Sequence, residues 1–135
     1  MNFTIKLAVE DENGIKTIEE VFQINKECSD QCVVGLSLEE SKQLLKKFQS
    51  IIILNQAEKH VSSKRKCLCC GKNQNIKGYC SIQYRTLFGI VNLESPRLFR
   101  CPCNHPEAKT FSPLCEWLSD KNSPEIGRAS CRERV

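Results

Sequence analysis

Apolar and polar positions alternate from the start of the chain. Phe3-Thr4-Ile5-Lys6-Leu7-Ala8-Val9 follows the two-residue period of a half-buried strand. β-rich composition resumes at Ile15-Lys16-Thr17-Ile18 and at Val21-Phe22-Gln23-Ile24, with Asn13-Gly14 between the runs. Asn and Gly both tolerate the positive φ of a type I′ turn. Residues 2–26 are therefore predicted to form a β-hairpin that reverses at Asn13-Gly14. A two-stranded hairpin is marginal by itself and needs something to pack on.

The period changes after Ser37. Leu38, Ser41, Leu45, Phe48, Ile52 and Gln56 fall along one side at helical spacing, widened by Leu44, Ile51, Ile53 and Leu54. This predicts one long amphipathic helix over 38–61. Ser37 with Glu40 three residues later is a capping box, in which the hydroxyl and the carboxylate each satisfy a backbone N–H of the first turn. Glu39 and Glu40 at the start, with Lys59 and His60 at the end, suit the helix dipole. The apolar stripe is expected to pack on the hairpin, and an interface with a partner is the other use of such a face. Ser62-Ser63-Lys64-Arg65-Lys66 reads as a short basic link.

Strand-like runs return at residues 80–87 and 90–93, with Phe88-Gly89 as the turn candidate. Leu98-Phe99-Arg100 leads on to Cys101-Pro102-Cys103. The pattern is α+β: an N-terminal hairpin and helix over 1–62, then a small hairpin-based module over 63–118. No apolar run approaches the roughly 20 residues of a membrane-spanning helix, and no leader-like segment opens the chain. A soluble, cytoplasmic protein without membrane partners is expected.

Composition alters this picture in one respect. The chain of 135 residues holds ten cysteines. In a reducing compartment such a density points to metal rather than disulfides. Cys67-x-x-Cys70-Gly71 has the spacing of a metal knuckle, and the glycine permits its tight turn. After thirty intervening residues, Cys101-x-Cys103 supplies a second pair, and a hairpin between them would return the chain to the first. Cys67, Cys70, Cys101 and Cys103 are thus the candidate ligands of a structural Zn²⁺ in a zinc ribbon. His105 is a reserve ligand in place of Cys103, and Cys69 is a spare thiol or an alternative ligand. Cys28 and Cys32 lack a partner pair and read as plain residues. Cys80 and Cys115 read as small buried apolar residues. A redox role for Cys67-x-x-Cys70 is disfavoured because no βαβ pattern surrounds it. No catalytic constellation stands out, so the chain is not expected to be an enzyme.

Charge is uneven as well. Residues 1–58 carry a net −4, residues 59–100 a net +8 and residues 101–125 a net −2. The basic stretch is a candidate phosphate-binding footprint, with Lys72, Lys77, Arg85, Arg97 and Arg100 as the nucleic-acid contacts. It serves equally as a counter-charge to four thiolates on one dication.

Several segments resemble the N-terminal region of bacterial insertion-sequence transposases of the ISKra type. The matching residues are Gly35-Leu36-Ser37-Leu38-Glu39-Glu40, Cys67-x-x-Cys70-Gly71 and Lys77-Gly78, then Tyr84-Arg85-Thr86-Leu87-Phe88-Gly89, Ser95-Pro96-Arg97-Leu98, Cys101-Pro102-Cys103 and Thr110-Phe111-Ser112-Pro113-Leu114. They run in order over about 35–125. The resemblance implies a truncated region that recognises the terminal DNA of the element during transposition, nucleoid-associated when bound; self-association is a separate expectation. In that family an RNase H-like domain with Asp-Asp-Glu catalytic acids follows. None of that chemistry maps onto a residue here. Residues 119–125 would be a linker toward that domain. Residues 126–135 resemble a translated sequencing adapter and are expected to be dispensable. The alternative function is a zinc-stapled protein–protein assembly module without DNA binding.

Overall fold

The computed structural model describes residues 1–27, 34–103 and 110–126. Cys28, Cys32, His105 and the tail from residue 127 onward lie outside the described residues. The chain divides into two compact units, Met1–Ile51 and Ile52–Val135. The architecture is α+β: two small antiparallel sheets and one long helix. The division falls within the helix, whereas the sequence pattern places it after residue 62.

In the first unit, β1 (Asn2–Glu10) pairs antiparallel with β2 (Lys16–Asn25). The reversal differs from the type I′ turn that Asn13-Gly14 suggests. Asp11 anchors a longer loop: its Oδ1 accepts the Asn13 N–H at 2.9 Å and the Ile15 N–H at 2.8 Å. Only Gly14 takes the left-handed conformation, at φ +81°. An Asp side chain that closes on its own loop competes successfully with the two-residue turn. The register shifts between Ile5 and Lys6, which leaves Val21 as an extra residue in β2. This bulge explains why Val21 and Phe22 are both buried despite being neighbours. They form a core with Ile24, against which Leu7, Leu44 and Ile51 pack.

Helix α1 spans Leu38–Arg65, so Ser62 to Arg65 continue the helix instead of linking it to the cysteines. The Ser37 Oγ accepts the Glu40 N–H at 3.1 Å, which forms one half of the capping box. The Glu40 carboxylate pairs with the Lys26 ammonium. That contact holds the Glu40 pKa below the usual range despite desolvation, and the neighbouring Ser37 groups assist. The single stripe expected for this helix is not what packs. Leu44 and Ile51 serve the hairpin core, seven residues apart. Ile53, Ala57 and Val61 serve the second unit at four-residue spacing. Leu38, Leu45, Phe48 and Leu54 stay exposed. A helix that contributes to two cores divides its apolar residues between two stripes, so a single amphipathic axis misassigns half of them.

In the second unit, β3 (Ile76–Thr86), β4 (Gly89–Phe99) and β5 (Thr110–Phe111) form an antiparallel sheet in that order. The tight turn falls at Leu87-Phe88, one residue before the position suggested by Phe88-Gly89. Gly89 opens β4 at φ +125° opposite Thr86, and the Thr86 hydroxyl donates to the Gly89 carbonyl at 2.7 Å. Ile82, Val91 and Leu93 point inward onto Ile53, Ala57 and Leu114. Leu114 belongs to a short helix α2 (Pro113–Trp117), whose Trp117 ring stacks on His60 with centroids 4.5 Å apart. Cys115 is exposed and Cys80 half-buried, so neither is the fully buried apolar residue expected. Within α2 it is Pro113 and Leu114 that face the core, which leaves Cys115 on the outward side. Residues 119–125 are more than a linker: Arg85 donates its N–H to the Lys121 carbonyl and accepts the Ser123 N–H, a parallel addition to the free edge of β3.

Candidate metal centre

The register of β3 against β4 builds the site. Ile76 faces Leu98, the first pair of the hairpin, and Leu98 is fully buried. The segments just before β3 and just after β4 therefore meet. The first holds Cys67 and Cys70, the second Cys101 and Cys103. Phe99 N–H donates to the Asn75 carbonyl at 2.9 Å and ties the two ends together.

The first segment is a knuckle. Lys66 and Asn73 bridge antiparallel at its base. Inside it, the Gly71 N–H reaches the Cys67 carbonyl and the Cys67 N–H reaches the Lys72 carbonyl, both at 2.9 Å. Gly71 sits at φ +71°, with nothing near the position of a Cβ. Space is not the constraint here. The left-handed backbone is, and it strains any L side chain.

The four Sγ atoms lie within 4.8 Å of one another. Cys67 Sγ is 3.4 Å from Cys103 Sγ, and Cys70 Sγ is 3.3 Å from Cys101 Sγ. Zn–S bonds of about 2.3 Å in a tetrahedron give sulfur–sulfur edges of about 3.8 Å. The cluster brackets that value, so the four residues fit a metal ion without rearrangement of the backbone. Cys69 is exposed and not among the four, and His105 lies outside the described residues.

Electrostatics favour the same conclusion. The Cys67 thiol is pulled down to about 6, first by the Cys70 N–H, then by the Cys69 N–H and the Cys103 thiol, against desolvation. Cys103 moves far upward, because the Cys101 and Cys67 thiols beside it disfavour another negative charge. Cys70 also ends above the usual thiol value. The Lys72 N–H lowers it, but the Cys101 thiol, desolvation and Cys67 outweigh that help. Without a cation, sulfurs this close cannot all ionise. A dication replaces the protons and removes the conflict. In metal-free protein at pH 7, Cys67 is expected to be alkylated by iodoacetamide before Cys70 and Cys103. Its rate should be half-maximal at about pH 6 and level off about one pH unit higher, as peptide mass spectrometry would follow.

The five candidate phosphate contacts do not form one patch. Lys72 lies in the knuckle, Lys77 is the extra residue at the β3 bulge, and Arg97 pairs with Gly78. All three are exposed at the cysteine end of the sheet. Arg85 lies seven residues along β3 from Gly78, about 23 Å away at strand rise. There it lines a polar cavity with Ser81, Gln83 and Asp120. Arg100 is engaged within the fold: its guanidinium lies 4.8 Å from the Phe111 ring and 3.8 Å from the Glu116 carboxylate. Composition reveals the charge but not the strand register that separates it. Among the described residues no helix is long and apolar enough to cross a membrane. No protein-family model, curated protein or solved structure matches the chain, so the four convergent cysteines stand as its most informative feature.

Proposed function

We propose that this chain is a zinc-stapled DNA-binding region of an insertion-sequence transposase of the ISKra type. The observation that carries the reading is the convergence of four thiols from two loops within 4.8 Å. Four thiolates leave a tetrahedral ion no open position, so bound zinc supplies rigidity and no reaction chemistry. Cys67 and Cys70 would hold it from the knuckle, Cys101 and Cys103 from the turn after β4. The staple fixes the end of the sheet where Lys72, Lys77 and Arg97 are exposed, and these three would contact DNA phosphates. Phosphate contacts position a protein on a duplex without reading its sequence. In this reading, DNA strand transfer belongs to the catalytic domain that follows in the family.

The test is fluorescence anisotropy with a labelled duplex across a salt series. Three phosphate contacts give a slope of about −2.7 in log K against log salt. Replacing Lys72, Lys77 and Arg97 together by Ala should flatten that slope and weaken binding at least about tenfold at low salt. Arg85→Ala and Arg100→Ala should each change the slope by well under the about 0.9 unit that loss of one phosphate contact produces. Binding that ignores salt, or that survives the triple change, would remove the proposal.

A second reading is favoured by one feature of the first unit. Met1, Phe3, Ile5, Val34 and Leu36 line a largely apolar cavity of about 600 Å³, and Phe3, Val34 and Leu36 are exposed there. Such a surface suits an assembly module. Self-association that persists at high salt, without duplex binding, would select it.

A further inference from the structure

The geometry of the sulfur pairs bears on more than metal binding. Both sulfur–sulfur contacts at hydrogen-bond distance run between the two loops: Cys67 with Cys103 and Cys70 with Cys101. Each pair would need to close by little more than about 1 Å to reach a disulfide bond. The β3–β4 register brings both loops to the same end of the sheet. Cys69 is exposed and outside the cluster.

Resting on the metal reading above, we propose that the four-cysteine centre is also a peroxide-oxidisable site. Oxidation would release the ion and replace it with two disulfides, Cys67–Cys103 and Cys70–Cys101, that keep the loops joined. One thiolate of a pair attacks a peroxide oxygen, the O–O bond breaks, and a sulfenic acid forms with loss of water. The facing thiolate then attacks that sulfur and expels the hydroxyl as a second water, which forms the S–S bond. For the whole centre, four thiolates give up four electrons. Two hydrogen peroxide molecules accept them, four protons are taken up, four waters form and one Zn²⁺ is freed. The knuckle thus has two closed states, one held by metal and one by disulfides.

The experiment treats the full chain with hydrogen peroxide in two arms, zinc-loaded and metal-stripped. It reads released zinc, remaining thiols and tryptic peptides. Trypsin cuts after Lys66, Lys72, Arg100 and Lys109, so Cys67, Cys69 and Cys70 share one fragment and Cys101 and Cys103 another. The expected result is one zinc released per chain, loss of four of the ten thiols, and a reducible species that joins the two fragments. Cys69 should remain alkylatable, and partial reduction should assign Cys67 to Cys103. Separate fragments with internal Cys67–Cys70 and Cys101–Cys103 bonds would overturn the proposal, as would a Cys67–Cys101 pairing or consumption of Cys69. A chain that carries no zinc as purified would refute the metal reading alone, because the metal-stripped arm still reports the pairing.

Discussion

Changing Cys67 or Cys101 to serine is expected to abolish stoichiometric zinc binding and to melt the end of the sheet that the centre closes. Structural zinc in small domains is coupled to about 10–16 kcal/mol of binding free energy near neutral pH. A typical domain is stable by only about 5–15 kcal/mol. The metal is therefore large enough to decide whether this end folds. Here the two loops add no residue to the buried apolar cluster, which lies further along the sheet at Ile82, Val91 and Leu93, and the buried residue at this end is Leu98 in β4. Each variant, taken as purified, should contain well under about 0.2 zinc per chain, against close to one for the parent. Trp117, the only tryptophan, stacks on His60 and gives a fluorescence signal for the same unit. Both variants should lose part of the cooperative transition seen by that signal. Elemental analysis with thermal melts checks the expectation, and zinc retained by both variants would refute the assignment.

Leu93→Ala should give the second large effect, on stability and without direct contact with the cysteines. Leu93 is 2% exposed and sits in the core formed by the β3–β4 sheet, Ile53, Ala57 and Leu114. Truncation removes three heavy atoms and leaves a cavity that neighbours on three elements cannot easily fill. The expected loss is about 2–5 kcal/mol. For a unit of this size that is a fall in melting temperature of about 4–8 °C per kcal/mol. Leu68→Ala is the matched control. Leu68 sits between Cys67 and Cys69 and is fully exposed, so its removal should change stability by under about 0.5 kcal/mol. Scanning calorimetry on zinc-loaded protein distinguishes the two. A Leu68 effect as large as that of Leu93 would mean that the tip of the knuckle is packed against something.

Much of the local architecture was written in short stretches of sequence. The alternation from Phe3 to Val9, the Ser37–Glu40 cap and the Cys67-x-x-Cys70-Gly71 knuckle each encode an outcome through neighbours in the chain. Strand pleat, helix start and left-handed turn are properties of a few consecutive residues, and the first unit's hairpin and the start of α1 follow from them. Even so, Asp11 defeated the Asn13-Gly14 turn, because a side-chain carboxylate can gather two backbone N–H groups that composition does not flag.

The sequence by itself determined the thiols, their spacing and the hairpin able to return one pair to the other. Only the tertiary structure decided which sulfurs face which, since that depends on the Ile76–Leu98 register and on the bulge at Lys77. It also split the apolar residues of α1 between two cores, placed Arg85 far along the sheet from Lys77 and Arg97, and engaged Arg100 with Phe111 and Glu116. The physical reason is common to all four. A one-residue change of strand register reverses the direction of a side chain, a 100° step around a helix turns it to another face, and neither is fixed until distant segments pack.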